Sequence, residues 1–330
     1  MNTHLPKNQE SAKPLLGTRP LRSLGLVVWG LVVLLVWISQ ALAENPDDPA
    51  TGPETSESGK PPPAGMIAIT LDDLPAVSVY DKAERVHITE RLLGSLAEHK
   101  VSATGFVIGG NIDSDWDLLA SWLDNGHTLG SHTFSHYDLH IVQVEMFIED
   151  MIKGASVIES FLDGFEQKRR YFRHPYLHYG ENPKVRKRVE AILAGNKHVI
   201  SHVSVDTDDY LYNLRMDGMK RSSDSSRFAL LRAEYIDHIL ESLSRSERLA
   251  DIILKRPVKH ILLLHANRLN ALFLGDLLTA LEEFGYRFIT LRNALKDPVY
   301  RMKDKYYGPN GISKLERVAR SNPKFIPPEF

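Results

Sequence analysis

The 330-residue chain contains no cysteine. That excludes disulfides, thiolate zinc sites and cysteine nucleophiles, and is neutral on compartment. Charge of one sign is also lacking: 40 Lys and Arg stand against 42 Asp and Glu, a formal net charge of −2. A nucleic-acid partner held through its phosphates therefore gets no support. No Gly-rich phosphate loop follows any apolar run, so a nucleotide site has none either. No repeat is visible beyond an alternation of short apolar runs with longer amphipathic ones.

The N-terminus speaks to compartment. Lys7, Lys13, Arg19 and Arg22 precede an uncharged stretch, residues 23–43, whose apolar centre runs from Leu24 to Ile38. Ser39-Gln40-Ala41-Leu42-Ala43 then offers the small-x-small pattern of a signal-peptidase site. These features predict a signal peptide cleaved after Ala43; the alternative is an uncleaved anchor, since residues 23–43 are just long enough to span a bilayer. Either way the remainder is expected outside the cytoplasm, periplasmic or secreted. Residues 44–65, rich in Pro and polar side chains, read as a flexible linker. A catalytic domain is expected over residues 66–300, with 301–330 as a C-terminal extension wrapping its periphery.

Within that domain seven strand-like runs are predicted, at 66–71, 101–108, 127–132, 170–175, 198–205, 260–265 and 286–291. Helical spacing marks 81–99, 116–123, 139–162, 183–194, 228–254 and 269–284, and a polar loop is expected at 208–226. Strands separated by helices predict a parallel α/β architecture. A closed barrel and an open doubly wound sheet both fit that pattern; the polar residues suited to chemistry fall after several different strands, which tilts the choice to a barrel, where such residues converge.

Two histidines carry the first signal. In Gly130-Ser131-His132-Thr133-Phe134-Ser135-His136 they stand four apart, a spacing that predicts one face of a single helical turn and Cβ atoms about 5–6 Å apart. Both imidazoles then reach one metal ion, and the third ligand should be a carboxylate. Asp72-Asp73, closing the run 66–71, is the obvious donor. Two adjacent carboxylates at the end of a buried strand repel each other unless a metal or an arginine faces them. A helix cap or Asp-rich turn is the bland alternative.

Arg173-His174-Pro175-Tyr176 places an arginine at another strand end, where it can hold a carboxylate ionised. His178 and Tyr179 read as rim residues and His140 as a helix flank. Asp206-Thr207-Asp208-Asp209-Tyr210 follows the fifth run, with a solvated turn as its default reading. His265 ends the apolar run 261–264, and a carboxylate beside it would raise its pKa into general-acid range. Together these groups supply a metal site, a base, a tether for the base and an acid.

In that order the five motifs resemble the polysaccharide deacetylase family, the NodB-homology domains of carbohydrate esterase family 4, from about residue 66 to 291. The resemblance implies a distorted (β/α) barrel of about seven parallel strands that removes N- or O-acetyl groups from sugars. It implies Asp73, His132 and His136 as ligands of one divalent metal, Zn²⁺ first, with Co²⁺, Ni²⁺ or Mn²⁺ as alternatives. Asp72 would be the base for the attacking water, Arg173 its tether, the Tyr176 N–H an oxyanion donor and His265 the acid. The carboxylate behind His265 is assigned to Asp209, with Asp206 second, and Tyr176, Tyr210 and Asp206 are placed at the substrate. Leu71 and Leu74-Pro75 depart from the family pattern beside the base, which leaves every catalytic side chain in place.

The expectation is thus an exported, metal-dependent hydrolase taking acetyl groups, N-acetyl first, from an envelope or extracellular glycan such as peptidoglycan or a chitin-like polymer. Membrane contact is expected only through residues 23–43. Two other readings stand beside it: hydrolysis of a non-sugar C–N bond on the same scaffold, and a non-catalytic glycan-binding envelope protein. Asp72 and His265, which a binding module would not need, weigh against the last.

Overall fold

The computed structural model describes residues 65–219, 225–322 and 324. The expected signal segment, 1–43, and the linker as far as residue 64 lie outside the described residues. Among the described residues no helix is long and apolar enough to cross a membrane.

Seven strands form the centre: β1 (Gly65–Leu74), β2 (Thr104–Val107), β3 (Thr128–Ser131), β4 (Arg170–Phe172), β5 (His198–Ile200), β6 (Lys259–His265) and β7 (Tyr286–Phe288). Every pairing is parallel, in the order β5-β4-β3-β2-β1-β6, with β7 against the start of β1. One further parallel bridge, Val205 to Leu262, joins the segment after β5 to β6 and brings the sheet's two edges together. The result is the expected distorted (β/α) barrel. In β1, residues Ile67, Ala68, Ile69 and Leu71 are all buried, the near-continuous apolar run of a parallel strand covered on both faces.

The helices are α1 (Lys82–Glu98), α2 (Trp116–Asp124), α3 (Val144–Gly164), α4 (Pro183–Gly195), α5 (Asp209–Asp217), α6 (Ser225–Leu254), α7 (Arg268–Glu283), α8 (Leu291–Ala294) and α9 (Lys314–Arg320). Several starts are written in the sequence. The side chains of Asp81, Asn182 and Asn267 accept N–H groups of the first turns of α1, α4 and α7, and Pro183 follows Asn182 at the first helical position.

Three expectations need correction. Residues 209–217, expected in a polar loop, form α5, because Asp209 is drawn inside and anchors the helix start. The helix expected from residue 139 begins at Val144. In the segment after Arg301, expected to wrap the periphery, Lys314, Leu315, Arg317, Val318 and Ala319 of α9 are buried rather than lying on the surface.

Candidate active site

The carboxyl ends of the strands meet around one cavity of about 540 Å³, lined among others by Asp72, Asp73, His132, His136, Tyr176, Asp206, Tyr210 and His265. Eight of the ten residues singled out from the sequence therefore face one space. The other two, Arg173 and Asp209, are fully buried just behind it.

Asp72 and Asp73 lie inside β1, where the pairing to β2 shifts register between Leu71 and Leu74 and Asp73 adopts φ 67°. Successive residues of a regular strand point to opposite faces; a bulge re-aims one of them, so both carboxylates line the cavity. Asp72 is paired in register with His265 of β6.

The histidine pair is not on a helix. Residues 132–136 form a bend in which Thr133 and His136 both have positive φ. The bend is held from outside. Asp150 of α3 accepts the N–H groups of Phe134 and Ser135 at 3.1 and 3.0 Å, and Thr133 Oγ1 accepts the His136 N–H at 2.9 Å. One turn further along α3, Gly154 lies so close that a Cβ would fall 2.2 Å from the Thr133 carbonyl carbon.

The His132 Nδ1–H donates to the Arg173 carbonyl at 2.9 Å, which leaves Nε2 as a lone pair aimed into the cavity. Burial lowers the pKa of both histidines to about 4, so both are neutral at neutral pH. Their Nε2 atoms are 3.2 Å apart and stand 3.8 and 3.6 Å from Asp73 Oδ1, a buried atom with no hydrogen-bond partner. Two nitrogens on one tetrahedral zinc at about 2.0–2.1 Å would be roughly 3.3 Å apart. The donor set Asp73, His132 and His136 thus fits a divalent cation, and the orphaned Asp73 oxygen is an atom such a cation would satisfy.

Among the described residues one other group, Asp138, His140 and His178, brings three potential ligand atoms together. Several of its polar atoms are already engaged with one another or with the backbone. His178 Nδ1 is 2.6 Å from Asp138 Oδ1, and His140 Nε2 accepts the Gly180 N–H at 3.2 Å. The two rings stack parallel at 3.9 Å, an arrangement whose lone pairs do not converge.

Arg173 Nη1 contacts both oxygens of Asp72, at 3.1 and 3.2 Å. Its Nε donates to the Ser201 carbonyl at 2.7 Å and its Nη2 to Thr70 Oγ1 at 3.1 Å. Burial pushes Asp72 up to about 6 against the pull of Arg173. Asp209 Oδ1 lies 2.6 Å from His265 Nδ1, while Oδ2 accepts from the His265 N–H and from Asn270 Nδ2. Burial works to lower His265, but Asp209 and the charges of Asp73 and Asp72 outweigh it and raise the imidazole to about 10. Asp206 makes no such contact; its Oδ1 accepts the Thr207 N–H at 2.9 Å. Tyr176 packs edge-on against His136 at 4.6 Å, and Tyr210 stands edge-on to His265 at 6.2 Å.

Sequence reasoning missed Thr70, Asp150 and Asn270. Asp150 had a signal, a carboxylate on the buried stripe of α3 between Phe147 and Gly154. Asn270, held in turn by Tyr235 Oη, had none.

Residues 59–192 match the family described as polysaccharide deacetylase. A chitin deacetylase of Arthroderma benhamiae is 32% identical over 149 residues, 44% of this chain and 35% of that protein. A peptidoglycan-N-acetylglucosamine deacetylase of Bacillus cereus is 29% identical over 116 residues, 35% of this chain and 38% of that protein. The chain thus spans little more than a third of the length of these curated relatives. Among solved structures, the polysaccharide deacetylase Bc1974 from Bacillus cereus superposes with a TM-score of 0.50 at 20% identity, covering 68% of this chain and 91% of that one, a likeness of fold. In this chain all ten residues stand at or directly behind one cavity.

Proposed function

We propose that this chain is an exported, metal-dependent deacetylase that hydrolyses the N-acetyl groups of an envelope or extracellular glycan. The observation that carries the reading is the arrangement around the cavity. Three ligand atoms, from Asp73, His132 and His136, converge between an Asp72–Arg173 pair on one side and a His265–Asp209 pair on the other. Curated relatives named as chitin and peptidoglycan-N-acetylglucosamine deacetylases support the substrate class.

Asp73, His132 and His136 would hold the cation, Zn²⁺ first by donor type. Bound there, it would supply Lewis-acid polarisation of the acetyl carbonyl and of the attacking water. Asp72, held by Arg173, takes the proton that the water loses as its oxygen attacks the carbonyl carbon. The Tyr176 N–H donates to the oxygen on which negative charge develops. His265, protonated through the neutral range, gives its proton to the amide nitrogen as the C–N bond breaks, so acetate and a free amine leave. Tyr176 and Tyr210 wall the cavity and Asp206 lines its floor, the places for substrate contacts.

The test is acetate release by the purified full-length protein from chitin oligomers, peptidoglycan and acetylated xylan, with and without EDTA. Release that is stopped by EDTA and absent in Asp73→Ala is expected. Release that survives both would sink the metal mechanism; no release from any acetylated glycan would sink the substrate class.

A further inference from the structure

After the short helical turn Pro298–Arg301 the chain returns to the active-site rim before closing with α9. Charged side chains pin it there. Asp304 meets Arg186 at 2.7 Å, Lys314 at 2.9 Å and Arg317 at 3.7 Å, all four side chains buried. The Lys314 N–H donates to the Val203 carbonyl at 2.6 Å, beside the strand segment that closes the barrel. The Arg317 guanidinium donates to His202 Nδ1 at 2.9 Å and lies 3.6 Å over the Tyr179 ring. Ser313 and Glu316 complete a capping box at the start of α9.

Between these anchors Gly311 lines the catalytic cavity and presses on the turn Pro175–Leu177. A Cβ at position 311 would fall 1.7 Å from the Tyr176 carbonyl oxygen and 3.2 Å from Leu177 Cβ. The turn is one that needs holding. Tyr176 and Leu177 are consecutive non-glycine residues with φ 56° and 52°, a conformation that persists only where its surroundings over-determine it. Its own hydrogen bonds run from the Leu177 N–H to the His174 carbonyl and from the His178 N–H to the Pro175 carbonyl; neither uses the Tyr176 N–H. The family match ends at residue 192, so this segment lies beyond it.

We propose that residues 304–320 are a positioning clamp of the active site, in which Gly311 fixes the Tyr176 carbonyl and thereby aims the Tyr176 N–H at the acetyl oxygen. The inference rests on the deacetylase reading above. Gly311 does not touch the reacting atoms; it acts through the turn. Removing its support should therefore harm the step in which charge develops and spare ground-state binding.

The experiment compares Gly311→Ala and Asp304→Asn with the wild type in the full-length protein. Loss of one oxyanion donor lowers kcat by about 10²–10³, so kcat should fall into that range with KM within about threefold. Zn²⁺ affinity by titration should be unchanged. A folded Gly311→Ala protein whose kcat stays within about threefold of wild type overturns the proposal. So does a parallel fall of kcat and Zn²⁺ affinity, which would make residue 311 a general packing position. If Gly311→Ala is not recovered folded, Asp304→Asn decides by the same criteria. A wild type that releases no acetate refutes the deacetylase reading, and hydrogen exchange then judges the clamp alone. The amides of Leu177 and His178 should exchange at least about tenfold faster in the variant, and equal exchange overturns it.

Discussion

Asp209 grips His265 twice, one carboxylate oxygen 2.6 Å from Nδ1 and the other accepting the His265 backbone N–H at 2.8 Å. Asn270 fastens the same carboxylate at 2.6 Å, so its position is fixed independently of the imidazole. Nδ1 therefore carries its proton toward Asp209, and Nε2 is the atom that the proposed mechanism uses to give a proton to substrate.

Asp209→Asn removes the charge and keeps the shape. Burial, no longer opposed by Asp209, should lower His265 from about 10 toward its ordinary value near 6.5. In a kcat–pH series the alkaline limb should move down by the same span, and a limb that stays put would remove Asp209 from the proton transfer. Stability carries a matching sign. A folded-state pKa raised above the unfolded value contributes stability below about pH 6.5 that is lost as pH rises through about 10. The wild-type Tm should fall across that window more steeply than that of Asp209→Asn.

The two ligand-like clusters make opposite predictions. Zn²⁺ titrated into the wild type should bind at one equivalent, and His132→Ala or Asp73→Ala should abolish the site, since each removes one of three converging donors. His178→Ala should leave the stoichiometry at one, because that imidazole is spent on Asp138. A second equivalent lost specifically in His178→Ala would show that the stacked pair opens to take a cation.

The barrel and the contents of its mouth were legible because both are written locally. A buried parallel strand such as β1 needs an apolar run, and the polar residues that break such runs mark the strand ends. What was not legible depends on contacts distant in sequence. The His132–His136 spacing suggested a helical turn, yet the bend is dictated by Asp150 and Gly154 of α3. The choice between Asp206 and Asp209 rested on which of them the start of α5 turns inward, and Asn270 settles that from the far side of β6. The burial of the charged Lys314 and Arg317 goes with their pairing to Asp304, which no periodicity records.

Arg173 is fully buried and is the cation touching Asp72. Arg173→Met keeps much of the bulk and removes the charge. Burial, already lifting Asp72 to about 6, then goes unopposed by its largest counter-charge, so the carboxyl should titrate higher still. The acid limb of the kcat–pH profile should move upward and activity at neutral pH should fall. Breaking a buried pair also costs about 3–5 kcal/mol, measurable by urea unfolding. An unmoved acid limb would mean that Asp72 is not the base.

Two glycines on α3 separate loop positioning from helix propensity. Gly164 has nothing within 4 Å of a built Cβ, whereas a Cβ on Gly154 would fall 2.2 Å from the Thr133 carbonyl carbon. Alanine favours a helix over glycine by about 1 kcal/mol, so Gly164→Ala should leave Zn²⁺ affinity alone and hold or raise Tm. Gly154→Ala should instead push the bend away from α3, displace His136 and weaken Zn²⁺ binding by about 10–100-fold, the range for lost outer support of a ligand. The comparison is internal, since both changes add one methyl to one helix. If Gly154→Ala lowers Tm while Zn²⁺ affinity stays at the wild-type value, the bend holds its ligand geometry without α3, and Asp150 would be left as a structural carboxylate only.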